Sequence, residues 1–281
     1  MPIFDTPEPI SVAISLIVGD ARVIASDRTD TVVEVSPSDS SSEEDLKAAE
    51  QVRVELSQGR LLVKALKQWR HYGPFSGGGS IDVSIQLPSG SHVQGDAAMA
   101  DLRGEGRLGE CRFTTSTGHI WLDQTGPLQL KTSAGNIAVD RAVGDAEVTG
   151  SGEVRVGVVD GAAVMKNLNG HTWVGEVTGD LRCSSANGDI TIDHAHARID
   201  AKTASGNIRI GEVVRGSVAI QTASGELEVG IRKGTAALLD VRSHFGSVRN
   251  SLDATTGPAP SDETVEVRAR TSHGDIVIRR S

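Results

Sequence analysis

The chain has 281 residues, room for one large domain or two small ones. Aromatic residues make up only 3% while glycines number 32. This disfavours a compact, ring-filled sandwich and suits a narrow core of Val, Ile, Leu, Ala and Thr. A net charge of −9, from 37 acidic and 28 basic side chains, disfavours non-specific nucleic-acid binding, which rests on cationic contacts to phosphate.

From the N-terminus, residues 10–18, a Gly19-Asp20 turn and residues 21–26 read as a hairpin, followed by a strand over 31–35. Residues 36–42 are a polar loop. Residues 43–51 predict a short helix capped by Ser42, with Glu43, Glu44 and Asp45 where the helix dipole favours anions. At that length it needs a surface to dock on, and the first rung of the repeats downstream is the natural one. Residues 52–57, Gln58-Gly59 and residues 60–65 predict a second hairpin. Residues 10–18 form the most apolar run, but Ser11 and Ser15 interrupt it and Asp5 and Glu8 precede it. It is too short for a membrane span and wrongly flanked for a signal peptide, so the expectation is a cytoplasmic protein with no membrane insertion. A basic-aromatic tract occupies residues 64–72, with Trp69, His71 and Tyr72. Here a solvated loop outweighs contact with nucleic acid. With the glycine-rich loop that ends at Gly79, residues 1–79 read as an N-terminal cap on a unit spanning residues 80–281, the two being continuous.

Residues 81–87 alternate apolar and polar and open the regular region. From Thr115 to Val229, Gly118, Gly135, Gly152, Gly170, Gly188, Gly206 and Gly225 recur every 17 to 19 residues. Two and four residues after each stand apolar pairs such as Ile120/Leu122, Ile137/Val139, Ile190/Ile192 and Ile208/Ile210; Thr172/Val174 is the exception. A second glycine set, Gly126, Gly144, Gly161, Gly179, Gly216 and Gly234, lies halfway, with Ala197 in the slot once. Each repeat is therefore turn, strand, turn, strand, too short for a helical crossover. Such units bury their apolar faces only by stacking. The expectation is an all-β fold, a parallel β-solenoid, right-handed by the usual chirality of parallel connections. At ~4.8 Å per rung, seven rungs span roughly 34 Å. The nine-residue half-period favours two walls over three. Beyond Val229 the pattern loosens. An irregular insert over 250–262 precedes strands at 265–270 and 275–280, and residues 271–276 read as a final rung that seals the C-terminal end.

Cys111 and Cys183 both fall at inward positions but four rungs apart, ~19 Å, beyond the roughly 7 Å between Cα atoms that a disulfide tolerates. Two free, buried thiols are expected, in keeping with a reducing compartment. Gly104 to Gly109 matches G-x-G-x-x-G, but a strand beginning at Cys111 stands where a dinucleotide site needs a helix. Asp193, His194 and His196 have ligand chemistry without a matched partner set. Glu226 and Glu228 share a face and read as solubilising charge. The sequence assigns no catalytic residue, metal or cofactor.

One duplicated feature stands out. His119-Ile120-Trp121 and His171-Thr172-Trp173 occupy the same outward columns, three rungs or ~14 Å apart. His119, Trp121, His171 and Trp173 are the candidate interaction surface for a protein or a glycan. The competing reading is intramolecular, with the cap or the 250–262 insert folded over them.

The segments Pro9-Ile10-Ser11-Val12, Asp27 through Val35, Leu87-Pro88-Ser89-Gly90-Ser91, the Ser/Asn-Gly-x-Ile rungs and Val229 through Ala236 together resemble a bacterial adhesin-like β-strand-repeat family of unknown function, often labelled "putative adhesin". The resemblance covers nearly the whole chain and implies a β-solenoid with no established enzymatic activity. The function expected is non-enzymatic binding or scaffolding through a solenoid wall. A self-assembling, bactofilin-like structural role is the alternative, and a polysaccharide-acting enzyme comes third.

Overall fold

The computed structural model describes residues 2–65, 79–252 and 263–281. The basic-aromatic tract beyond Ala65, with Trp69, His71 and Tyr72, and most of the 250–262 insert lie outside them. The chain divides into two compact units, residues 1–139 and 140–281. The first holds β1 (Ile3–Asp5), β2 (Ser11–Ser26), β3 (Asp30–Pro37), α1 (Glu43–Glu50), β4 (Arg53–Ser57), β5 (Arg60–Lys64), β6 (Ile81–Pro88), β7 (His92–Arg107), β8 (Cys111–Thr117), β9 (Ile120–Thr125), β10 (Leu128–Ala134) and the start of β11 (Ile137–Ala142). The second holds β12 (Ala146–Gly150), β13 (Val154–Val159), β14 (Ala163–Asn169), β15 (Thr172–Val177), β16 (Leu181–Asn187), β17 (Ile190–Ala195), β18 (Ile199–Ser205), β19 (Ile208–Val213), β20 (Gly216–Ser224), β21 (Leu227–Ile231), β22 (Ala236–Phe245), β23 (Val248–Asn250), β24 (Thr264–His273) and β25 (Ile276–Arg280). The architecture is a parallel β-solenoid.

In the first unit the expected hairpin at Gly19-Asp20 does not form. β2 runs unbroken for sixteen residues and pairs in parallel with β7, from Ser11 opposite His92 to Ile24 opposite Glu105. Its other edge takes β5 and then β6, also in parallel. Gly19 has φ +136°, and a Cβ there would fall inside the Ile81 carbonyl. It is a corner between two walls of one rung. A Gly-Asp pair between apolar runs looks the same in sequence whether the chain reverses or turns a corner, and only the partner strands decide. β8 and β9 continue from the two halves of β7, and β10 from β8, all parallel.

The flank beside β5 and β6 is antiparallel. β3 pairs with β6, β1 with β3, and β4 with β5. The β4–β5 hairpin is the one expected, with positive φ at both Gln58 and Gly59. Helix α1 also forms where expected, with the Ser42 hydroxyl accepting from the Asp45 N–H. It lies against β3 and β6, yet none of its residues is buried. Its anchor is polar instead. The Asp45 carboxylate accepts from the Ser80 N–H at 3.0 Å and the Asp39 N–H at 3.1 Å.

The second unit has two walls. β12, β14, β16, β18 and β20 stack in parallel on one, in register through Ala146, Ala163, Leu181, Ile199 and Val218. β13, β15, β17, β19 and β21 stack on the other, through Val154, Thr172, Ile190, Ile208 and Leu227. These columns are buried. The second wall carries a third inward column, Val159, Val177, Ala195 and Val213, reached by skipping one residue, so the period-two alternation breaks once per rung. Thr172, the apolar exception, is fully buried, and its hydroxyl takes a hydrogen bond from Asn167 Nδ2 at 3.2 Å.

Asn167 belongs to a column that serves the corners. Three residues before the corner glycine, Thr203, Thr222 and Thr271 donate to the carbonyls of Gly188, Gly206 and Gly225 one rung away. Asn167 does the same to Gly152, and in the first unit Thr132 to Gly118. Each of these corner carbonyls is thus satisfied from inside.

The C-terminal end departs from expectation. β24 pairs with β20 on one edge and β22 on the other, and β25 lies likewise between β21 and β23. The last strands in sequence are therefore not the last in space, and β22–β23 is the outer rung. The reason is pattern. Val265, Val267, Ala269 and Thr271 continue the buried columns and Gly274 supplies the corner, whereas β22 is half-buried to exposed along its length.

Cys111 and Cys183 are unpaired and buried, and burial pushes both thiols up to about 12.

A corner glycine is the point of least tolerance. Gly206 has φ +144°, and a Cβ would collide with the backbone of Gly188. Gly206→Ala combines backbone strain with overpacking and should cost roughly 2 kcal/mol or more in chemical denaturation. Gly234→Ala, where a Cβ meets nothing within 4 Å, should bear only the strain at φ +88° and lose less.

Candidate functional site

At several corners the residue just after the turn projects along the stack and accepts from the backbone of the next rung. In the first unit Asp20 Oδ1 takes the Asp101 N–H at 3.4 Å, Asp101 Oδ1 the His119 N–H at 2.7 Å, and His119 Nδ1 the Asn136 N–H at 3.1 Å. In the second, His171 Nδ1 takes the Asp189 N–H at 3.3 Å, Asp189 Oδ1 the Asn207 N–H at 2.7 Å, and Asn207 Oδ1 the Glu226 N–H at 2.8 Å. A backbone N–H can only donate, so Nδ1 of each histidine serves as an acceptor in this ladder. The two candidate histidines thus do the same work as the Asp and Asn residues of their column. Asp20 bears a local cost in this ladder. Its carboxyl is raised above the ordinary 3.8, first by partial burial and then by the like charges of Asp101 and Asp82, with the Asp101 N–H pulling the other way.

Trp121 and Trp173 both point outward and both are half-buried, so neither is a core residue. Each is set by its neighbours. Trp121 stacks on His119 with ring centroids 5.1 Å apart and 20° between planes. The Arg103 guanidinium, its register partner on β7, lies 5.5 Å from the ring centre. Trp173 has Arg155, its partner on β13, only 4.1 Å from its ring centre. Its Nε1 donates to Asp193 Oδ2 of the next rung at 3.1 Å. The ring lies back over Gly175, where any side chain would meet it. One Arg–Trp pair therefore recurs in each unit. Sequence reasoning misses the arginines, although each stands one 18-residue repeat before its tryptophan.

The remaining motifs separate. Gly104 and Gly106 lie in β7, and strand β8 comes next where a dinucleotide-binding helix would stand. His196 Nε2 sits 2.9 Å from Glu176, and Asp193 is engaged by Trp173. Among the described residues no group of three or more His, Cys, Asp or Glu is arranged to hold a metal ion. Glu228 is paired with Arg279 at 2.6 Å and Arg209 at 3.6 Å, on the two flanking rungs.

Two measurements check this geometry. Because the Asp20 carboxyl is raised on folding, it is no burden below the ordinary carboxyl value and destabilises as pH rises through the raised one. Asp20→Asn, which keeps the acceptor, should melt higher than wild type near neutrality. The gap should close as pH falls through the carboxyl range; a gap of opposite sign would mean the ladder needs the charge. For the second pair, a double-mutant cycle of Arg155→Ala and Trp173→Ala in denaturant should return a coupling of about 0.5–2 kcal/mol, and zero coupling would make the stacking incidental.

The family model described as Toastrack DUF4097 matches residues 12–279. No curated protein matches. Among solved structures, the chain is similar to a "putative adhesin" from Bacteroides fragilis NCTC 9343, at 11% identity over 99% of this chain and 95% of that one, with a TM-score of 0.39. It is similar to another so described from Parabacteroides merdae ATCC 43184, at 11% identity over 99% and 94%, with a TM-score of 0.43. A third, from Parabacteroides distasonis ATCC 8503, has 17% identity over 82% and 95%, with a TM-score of 0.40. The family resemblance drawn from the cap and rung motifs holds, and with the match running over nearly its full length the chain belongs to the Toastrack DUF4097 family.

Proposed function

We propose that the chain is a non-enzymatic binding or scaffold protein that offers a solenoid wall to another protein. The observation that carries the reading is the recurrence of the same half-buried Arg–Trp pair in both units, Arg103 with Trp121 and Arg155 with Trp173. Tryptophan and arginine are the residues that most often dominate binding energy at protein interfaces. Rings already fixed by stacking and by the Trp173–Asp193 hydrogen bond lose little side-chain entropy when a partner covers them. His119 and His171 contribute by fixing the corner beside each ring rather than by chemistry of their own. Carboxylates such as Glu228 that could serve an enzyme are engaged in ion pairs between rungs, which supports the non-enzymatic reading. The reading includes a reducing compartment, supported by two cysteines that stay unpaired. No helix among the described residues is long and apolar enough to cross a membrane.

The test is affinity capture from lysate with wild type beside Trp121→Ala, Trp173→Ala and the double variant, with circular dichroism and thermal melts on each. A protein retained by wild type and lost by a folded variant supports the reading. A glycan in its place would keep the surface and change the partner class. Equal capture by all four removes the tryptophans as the interface.

A further inference from the structure

Among the described residues the outer rung of the second unit keeps one unpaired edge. Among the described residues β22 pairs only with β24, and β23 only with β25. The Ala236 N–H donates to the Glu263 carbonyl, so Ala236, Leu238, Asp240 and Arg242 turn their backbone groups toward β24. Leu239, Val241 and Ser243 therefore turn theirs to the free edge. The same rung carries the exposed apolar side chains Leu238, Phe245 and Val248, at 70%, 66% and 44% exposure. Val241 and Leu239 stand in the columns of Ala269 and Val267, which are fully buried one rung inward. A ten-residue edge of this kind is a template for another strand. The edges beside β5 and β6 are not. There the outer strands are β1, three residues long, and β4, five residues carrying Arg53 and Glu55.

We propose that the occupant of this edge is β22 of a second copy of the chain. Two copies meeting through the same edge are related by two-fold symmetry, which makes the strand pair antiparallel. The charges select the register. With Val241 opposite its own symmetry mate, Asp240 faces Arg242 of the other copy, twice, at the close non-hydrogen-bonded positions. Leu239 and Ser243 then fall at hydrogen-bonded positions, and Leu238 comes to lie beside His244. Moving the register by one residue pair sets Asp240 against Asp240 or Arg242 against Arg242, so the neighbouring alignments are penalised. Within one copy Arg242 and Arg270 already flank Asp240 at 3.4 Å, which holds the carboxylate on the outward face where the partner needs it. The contact closes on itself, giving a dimer rather than a filament, and it stands independently of the tryptophan columns.

Sedimentation equilibrium at rising concentration tests it. Wild type should move from monomer to dimer and stop there. Asp240→Arg and Arg242→Asp should each remain monomeric alone, since each sets like charges opposite one another, and an equimolar mixture of the two should recover the dimer. Mixing is its own folding control, because recovery needs both edges intact. A wild type that stays monomeric overturns the proposal. Association that survives in Asp240→Arg alone, a mixture that fails to associate, or growth beyond the dimer overturns it equally.

Discussion

The structure depends on what happens at a corner. Rungs stack at ~4.8 Å, and at each turn the backbone of one rung rests on the carbonyl of the rung beneath. There is no room for a Cβ between Gly188 and Gly206, or between Gly206 and Gly225. Two side-chain columns then tie the corner down. From inside, threonines such as Thr222 donate to a corner carbonyl. From outside, the residue after the glycine accepts a corner N–H from the next rung. A buried or half-buried turn that would otherwise strand backbone donors and acceptors leaves them satisfied. Since the corners are fixed, the walls between them are fixed too, and outward residues are held in straight columns.

How much of this is legible in the sequence depends on the range of the interaction. The rungs from 115 to 229 are legible because glycine, the two apolar positions and the halfway turn all fall within one repeat. The β4–β5 hairpin and the Ser42 cap are legible for the same reason. Gly19 misleads because the choice between hairpin and corner is made by β6 and β7, more than fifty residues away. The place of β24 misleads because the sequence orders rungs along the chain, while burial orders them by which apolar column fits best. The polar columns are within reach. A Thr or Asn three before most glycines and a polar residue one after them are periodic signals, but they are easily taken for turn composition.

The candidate site is legible as a pair of tryptophans and illegible as a mechanism. His119 and His171 draw notice as histidines, yet their neighbours in the same ladder are Asp101, Asp189 and Asn207. What those positions share is an acceptor atom at the right height, not an imidazole. The arginines that define the environment of each ring lie one repeat earlier and become visible only when the rungs are laid side by side.

The threading of the C-terminal end bears on how the chain reaches its fold during synthesis. Between β12 and β21 each new rung can settle on the one just made, so folding can follow the emerging chain. That order fails at β22. Residues 236–250 leave the ribosome before the rung they rest on exists, because β24 and β25 still have to be translated and slotted against β20 and β21. Until then β20 and β21 carry an open edge, and β22 and β23 have no native neighbour. This turn of the solenoid is therefore completed from the outside in, with the covering rung waiting on the one it covers, and so out of step with the ribosome.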